Sequence, residues 1–233
     1  MRLLYIIIIF LFISCASKKD LVVQNEQIDK SEQDSISNYI LFDYINSLTA
    51  ADYYSKLDSI KKGQTIDFFS LRMAYTKTND YSPYSTDLSD SLKKSSTLID
   101  SFMYDQALQL LTSIQEHNFV NIISHLYCGY IYKQLGDSIK SDYHYNIYDG
   151  LLTSIYESGD GLSPKTAFLV ITTKEEYALI NWFRLQFNRQ SLLTSDGYSF
   201  DLMDVTDPES GVDFGIYFNI ELAINILKNR FGN

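Results

Sequence analysis

The stretch NIISHLYCGYIYKQLGDSIKSDYHYNIYDGLLTSIYE, residues 121–157, carries the clearest helical pattern in the chain. Its apolar residues recur at helical spacing on both sides of the Leu135-Gly136-Asp137 turn. A similar spacing of apolar residues is present before residue 121. The sequence therefore predicts two helical hairpins, built from segments 87–101, 104–117, 121–135 and 137–157.

The two predicted hairpins repeat with the period of the tetratricopeptide repeat. Ala107 aligns with Ser141, and Leu111 aligns with Tyr145. Gly129 resembles the small residue at which two helices of that repeat approach closely, with a tyrosine filling the groove above it. The first copy is degenerate, with Ser95, Leu98 and Phe102 standing where the second has Gly129, Tyr132 and Gly136.

By analogy with the repeat, the inner groove would present Tyr130, Lys133 and Gln134. We predict these three residues as contacts with a protein or peptide partner. Solenoids usually need three or more repeats, so a plain pair of hairpins without a binding groove is the alternative.

A short sheet is predicted after the helices. An apolar run over 167–172 favours a strand, and Asp196-Gly197 is a strong hairpin signal. The last strand alternates, with Phe214, Ile216, Phe218 and Ile220 on one face. One helix with Glu175 and Glu176 in its first turn crosses this sheet, and another closes the chain. The predicted fold class is α+β, with helical hairpins followed by a small antiparallel sheet.

The N-terminus predicts a lipoprotein signal peptide. An uncharged apolar run over positions 3–13 is too short to span a bilayer and ends at Ser14-Cys15. This resembles a bacterial lipobox, although Phe12 departs from its usual aliphatic residue. The alternative is an ordinary cleaved signal with a chance cysteine. We therefore predict lipid on Cys15, a membrane anchor, and a position on the outer membrane facing the periplasm.

Composition divides the chain into four regions. The predicted domains are a signal peptide over 1–14, a lipidated cysteine and disordered tether over 15–37, a helical domain over 38–157 and an α+β subdomain over 158–233. The net charge of −10 opposes nucleic-acid binding. The 233 residues are enough to form a hydrophobic core without disulfides, and only two cysteines are present.

No set of residues indicates a particular reaction. The three histidines have no paired ligand spacing, so we predict no catalytic residue, no metal and no cofactor. The sharpest local feature is the Gly159-Asp160-Gly161 loop. The backbone N–H groups at these glycines suit the binding of an anion. The alternative is a sharp link between the helical and sheet parts, which needs positive φ at both glycines.

Several blocks, in order, resemble one family. They include Leu71-Arg72-Met73-Ala74-Tyr75-Thr76, Tyr81-Ser82-Pro83-Tyr84, Ser158-Gly159-Asp160-Gly161, Glu176-Tyr177 and Tyr217-Phe218-Asn219. They are similar to the bacterial lipoproteins that carry domain of unknown function 4919, over about residues 40–230. This resemblance implies secretion, helical repeats and an α+β end, but no activity.

Three functions are compatible with these features. The first is a lipid-anchored, non-catalytic adaptor that binds a protein or peptide. The second is an envelope enzyme with a site between the helical and sheet parts, using Asp160, Glu176 and Arg72. The third is a purely structural envelope protein.

Overall fold

Residues 41–231 are described by a computed structural model, starting with a helical segment at 41–47 (α1). The predicted signal peptide, Cys15 and the predicted tether lie outside the described residues. All described residues belong to one compact unit, Asn38–Asn233. Within the described residues, no helix is both long and apolar enough to cross a bilayer.

Six α-helices lie between α1 and the first strand of the sheet. All four predicted hairpin helices are confirmed, with ends that differ from the prediction by at most one residue. Side chains cap several of these helices; Asn121, for example, accepts a bond from the Ser124 amide, and Asp137 accepts one from the Lys140 amide. The bounds are α2 Ala50–Lys61, α3 Phe68–Tyr75, α4 Thr86–Asp100, α5 Tyr104–His117, α6 Ile122–Gln134 and α7 Ser138–Tyr156.

The two hairpin turns have the same backbone conformation. Phe102 ends α4 with φ of 58°, and Gly136, its counterpart in the second hairpin, ends α6 with φ of 76°. In the first turn Phe102 N–H donates to Ile99 O and Met103 N–H to Leu98 O. The turn after α6 makes the equivalent two bonds between the aligned residues of the second copy. The period predicted from the sequence therefore corresponds to a turn of the same backbone conformation at the aligned positions of the two hairpins.

Gly129 lies where α6 packs closely against α7. A Cβ at this position would lie 2.9 Å from the Tyr145 ring, and Ser141 Oγ donates to Gly129 O at 3.0 Å. The tyrosine over the small residue is thus Tyr145 rather than Tyr132. Tyr132 instead stacks on His144, with ring centroids 5.6 Å apart.

The C-terminal part is a four-stranded sheet with one helix before its central hairpin and another at the end. Strand order is β1 (Phe168–Leu169), β4 (Val212–Asn219), β3 (Tyr198–Asp207) and β2 (Gln186–Ser195), and the Asp196-Gly197 turn joins β2 to β3 as predicted. Together with the helices, this confirms the α+β class. The bounds are a 3-10 turn at Pro164–Thr166, β1 Phe168–Leu169, α8 Thr173–Trp182, β2 Gln186–Ser195, β3 Tyr198–Asp207, β4 Val212–Asn219 and α9 Glu221–Phe231.

The sheet is mixed rather than purely antiparallel. Of the predicted strand over 167–172, Phe168 and Leu169 form β1, and Phe168 lies beside Phe218 in parallel with β4. The rest of that run leads into α8, which belongs to the long crossover connection that parallel pairing needs. In β4 the alternation is confirmed for Ile216 and Phe218, but Phe214 is 38% exposed.

One hydrophobic core joins the helices to the sheet. Leu71 of α3, Leu151 of α7, Leu179 of α8 and Met203 of β3 are all fully or almost fully buried in it. A second, smaller cluster fills the α4–α5–α6 stack around Leu111 and Ile131. Helical and sheet parts therefore share buried area, and each stabilises the other.

Candidate functional site

An exposed aromatic surface lies at the turn of the first hairpin and on α6. We define the aromatic surface as Phe102, Met103, Tyr104 and Tyr130. Phe102 is 76% exposed and its ring contacts Tyr104 edge-on, with centroids 6.2 Å apart. Tyr104 interacts electrostatically with Tyr130 across the α5–α6 interface. The hairpin turn, α5 and α6 thus place aromatic rings on one continuous surface.

Tyr130, Lys133 and Gln134 are all exposed, as a role in partner binding requires. Their spacing of three and four residues places them on one face of α6. The electrostatic interaction between Tyr130 and Tyr104 connects this face to the first hairpin. The three predicted contacts are therefore brought together, and the aromatic surface extends them to residues that the sequence did not single out.

Phe102 is the unusual member of the aromatic surface. A non-glycine residue in the left-handed region costs roughly 1–2 kcal/mol, and the equivalent position of the second hairpin is a glycine. A phenylalanine at this position contributes little to the core, since three quarters of it faces solvent. The alignment with Gly136 was the available signal for this residue, because glycine predicts positive φ there.

The Gly159-Asp160-Gly161 loop uses its polar groups internally. The amides of Asp160 and Gly161 both donate to Thr166 O, at 2.9 and 2.8 Å. Asp160 Oδ1 accepts from the Leu162 amide. Only Gly161 has positive φ, whereas at Gly159 a Cβ would lie 2.4 Å from Thr166 O. The geometry favours a sharp link over an anion cradle.

A buried ion pair lies beneath α8. Arg72 is fully buried, and its guanidinium donates from Nε and Nη2 to the two oxygens of Glu175 at 2.9 and 2.7 Å. It also donates to Leu169 O and to Ser154 Oγ. Glu175 Oε2 accepts a further bond from the Ile171 amide. This network ties α3, α7, β1 and α8 together through charge-assisted bonds.

Glu176 has a different environment from its neighbour Glu175. It is fully buried, and neither of its oxygens receives a bond from an N–H or hydroxyl group of the described residues. Burial and the adjacent Asp201 carboxylate raise the pKa of Glu176 to about 9. Burial also raises the pKa of Asp201, which accepts from Gln190 Nε2 at 2.7 Å.

Two histidines on separate helices form a buried pair. His125 Nε2 lies 2.7 Å from Phe119 O, and His125 Nδ1 lies 3.0 Å from His144 Nδ1. A carbonyl accepts only, so His125 carries its proton on Nε2 and His144 donates from Nδ1. Burial lowers the pKa of His125 to about 3 and that of His144 to about 4. Both rings are therefore neutral at pH 7.

The comparisons with known proteins identify a family. A family model described as domain of unknown function (DUF4919) matches residues 53–229, about three quarters of the chain. The chain belongs to the DUF4919 family. No curated protein and no solved structure matches it. Membership confirms the resemblance of the sequence blocks to DUF4919.

The residues suggested for an enzymatic site in this DUF4919 chain do not form one open site. Arg72 is held by Glu175, Glu176 is fully buried, and Asp160 is exposed with its carboxylate bonded to its own loop. Among residues 41–231, no group of three or more His, Cys, Asp or Glu side chains is arranged to hold a metal ion. By contrast, the side chains of the aromatic surface lie together and reach solvent.

Proposed function

We propose that this protein is a membrane-anchored lipoprotein of the cell envelope that binds a protein or peptide partner without catalysis. The lipobox-like segment ending at Cys15 supports the anchor, and the predicted tether of residues 15–37 would hold the folded unit away from the membrane surface. The expected location is the outer membrane, facing the periplasm.

The observation that carries the binding function is the exposure of Phe102 in a left-handed turn. Its backbone conformation is unfavourable for phenylalanine, and its ring gains little from burial in the fold. Strained backbone that persists in a structure is often part of a functional site. A partner that covers this ring recovers the apolar burial that the fold alone does not provide.

The chemistry of the surface defines the partner. Aromatic rings with polar tips, flanked by a cation, are the residue types that dominate binding energy at protein interfaces. Phe102 and Met103 offer an apolar anchor, while Tyr130 and Lys133 offer a hydroxyl and an ammonium beside it. The partner is therefore a protein or peptide segment with an apolar side chain next to a hydrogen-bond acceptor or a carboxylate.

The binding test compares variants that separate folding from recognition. Immobilised residues 38–233 are incubated with an envelope extract, and retained proteins are quantified by mass spectrometry. Phe102→Gly is expected to reduce retention of the partner at least tenfold while keeping or raising the melting temperature, because glycine is favoured at positive φ. Tyr130→Ala combined with Lys133→Glu is expected to reduce it similarly.

The matched control is Leu162→Ser, which removes an exposed leucine from a loop outside the aromatic surface. It is expected to retain the partner as well as the wild type. Retention that survives both Phe102→Gly and the double substitution would show that the partner does not use the aromatic surface.

The anchoring test is metabolic labelling with a palmitate analogue. Wild-type protein is expected to incorporate the label and Cys15→Ala to lose it, because the cysteine thiol is the acceptor. Cys128→Ala is the matched control, since this second cysteine is buried in α6. Equal labelling of wild type and Cys15→Ala would refute lipidation at this residue.

A further inference from the structure

The strand β2 forms one edge of the sheet. In the strand order β1-β4-β3-β2 it pairs with β3 on one side, and within residues 41–231 no strand pairs with its other side. Eight of its ten residues are exposed, whereas both residues of β1, at the opposite edge, are buried. A strand at an edge presents unpaired backbone N–H and C=O groups to solvent.

The hydrogen bonds of Ser199 in β3 show which residues of β2 have outward-facing backbone groups. The Ser199 amide donates to a side chain of α9, and Ser199 O accepts from the Ile220 amide just after β4, so both groups face away from β2. Thr194 lies opposite Ser199 in the register, and the backbone groups of such a pair both face away from the ladder between them. By alternation along the strand, Leu192 and Gln190 also offer their backbone groups to a further strand.

We define the open edge as residues 190–195 of β2, with the sequence QSLLTS. Short length, lysine, proline and bulges are the features by which natural proteins protect an edge strand from pairing. β2 has ten residues, and its register shift lies between Phe187 and Arg189, before the open edge. The open edge itself contains no proline, no glycine and no charged side chain. It is therefore suited to pairing with another strand.

Two leucines give the open edge apolar surface on both of its faces. Leu192 is 65% exposed, and Leu193, which points to the opposite face, is 36% exposed. The helix α8 contacts β2 at its other end, where the ring centroids of Tyr177 and Phe187 are 5.2 Å apart. A strand added at the open edge would therefore recover apolar burial that the fold itself leaves undone.

The charges that flank the open edge favour a second copy of this chain in antiparallel orientation. Arg189 precedes the open edge and Asp196 follows it, and both are exposed. Arg189 pairs with Asp204 of its own chain, but its side chain remains 74% exposed. Antiparallel pairing about Leu192 places Arg189 of each copy opposite Ser195 of the other, next to Asp196. Parallel pairing of two copies would instead bring like charges together.

We propose that this protein forms a two-fold symmetric dimer in which β2 pairs antiparallel with β2 of a second copy, with Leu192 opposite Leu192 and Gln190 opposite Thr194. In this register the outward-facing backbone groups of the two strands meet as hydrogen-bonded pairs. The two sheets become one continuous sheet, and the assembly closes at two copies because the same surface is used by both. The dimer contact is separate from the aromatic surface and does not depend on its function.

The first test is the mass of the full chain in detergent micelles, measured by sedimentation in a solvent that matches the density of the detergent. The wild type is expected to be a dimer. Leu192→Lys is expected to raise the dissociation constant of the dimer at least tenfold, because two ammonium groups would face each other at the two-fold axis. Leu162→Lys, a matched substitution at an exposed leucine in a loop outside the sheet, is expected to leave it unchanged.

Disulfide formation tests the register. Ser191 of one copy lies opposite Leu193 of the other as a non-hydrogen-bonded pair, with Cα atoms about 4.5 Å apart, which suits a disulfide. When Ser191→Cys and Leu193→Cys proteins are mixed and oxidised, mass spectrometry of the peptides is expected to find position 191 linked to position 193. Ser191→Cys mixed with Leu162→Cys is expected to give no link between the two introduced cysteines.

Three results would overturn the proposal: a monomeric wild type, equal effects of Leu192→Lys and Leu162→Lys, or no link between positions 191 and 193. Leu192 is exposed, so its replacement by lysine is expected to leave the melting temperature of the fold close to that of the wild type. If that variant nevertheless fails to fold, the mass of the wild type and the disulfide link decide the question. A monomeric wild type would leave the open edge to a strand from a different protein.

Discussion

Glu175 and Glu176 are adjacent residues in the first turn of α8, yet they have opposite surroundings. Glu175 accepts three hydrogen bonds, two from Arg72 and one from the Ile171 amide. Glu176 receives none from an N–H or hydroxyl group of the described residues, and it lies beside the Asp201 carboxyl. Burial without donors favours the neutral acid, whereas an arginine partner favours the carboxylate.

The pH dependence of stability separates these two residues. Because the pKa of Glu176 is raised to about 9, the folded state keeps a proton that the unfolded chain loses near pH 4.5. Its contribution to stability is therefore full below pH 4.5 and is lost as pH rises towards 9. Glu176→Gln is expected to remove this decline, so that the free energy of unfolding changes less between pH 5 and pH 8 in urea titrations.

Glu175→Gln is the matched control for this experiment. It leaves Arg72 buried with a neutral partner, so it is expected to cost about 3 kcal/mol or more at both pH values. If Glu176→Gln shows the same pH dependence as the wild type, Glu176 is ionised in the folded protein and our assignment is wrong.

The helical hairpins show what determines packing at the scale of elements. α6 and α7 approach closely because Gly129 has no side chain, which leaves room for the Tyr145 ring. The His125–His144 hydrogen bond then joins the same two helices in their buried interface. Helical periodicity predicted the four segments, because period and capping are local. It did not predict the histidine pair, because the two rings lie on different helices and their contact depends on how those helices pack.

Acid is expected to loosen the α6–α7 hairpin. The unfolded chain takes up protons on histidine near pH 6.5, whereas His125 and His144 in the folded state do so only at about pH 3 and 4. Their contribution is therefore full above pH 6.5 and is lost as pH falls below it. His144→Leu is expected to cost about 1–3 kcal/mol at pH 7, because His125 Nδ1 loses its donor.

This prediction is checked by urea unfolding at pH 7, 5.5 and 4.5. The decline of stability with acid is expected to be shallower in His144→Leu than in the wild type, since one depressed pKa has been removed. His117→Gln, at an exposed histidine, is expected to leave the profile unchanged. A steeper acid decline in His144→Leu would contradict the neutral-pair assignment.

At the scale of the whole molecule, the sheet and the helices are linked through one core. Leu151 of α7 and Phe218 of β4 belong to the same buried cluster, and Arg72 connects α3 to β1 and α8. Each part would expose large apolar surface if separated from the other. Composition suggested a change of character near residue 158, but composition does not report which faces are buried against each other.

Unfolding of the described unit is expected to be a single cooperative transition. Trp182, the only tryptophan, packs on Tyr156 at the end of α8 and reports on the C-terminal part, whereas circular dichroism at 222 nm reports mainly on the helices. In residues 38–233 the two signals are expected to change at the same urea concentration. Separate midpoints would show that the helical and sheet parts unfold independently.

The sequence by itself determined the local features of this protein: the bounds of its four hairpin helices to within one residue, the Asp196-Gly197 hairpin, the period of the helical hairpins, the α+β class and the family. These depend on side-chain periodicity and turn residues, which are read within a few positions of the chain. Tertiary structure alone decided the parallel pairing of β1, the opposite environments of Glu175 and Glu176, and the contact between His125 and His144. These depend on groups brought together from distant positions, because burial and electrostatic environment are properties of the packed chain.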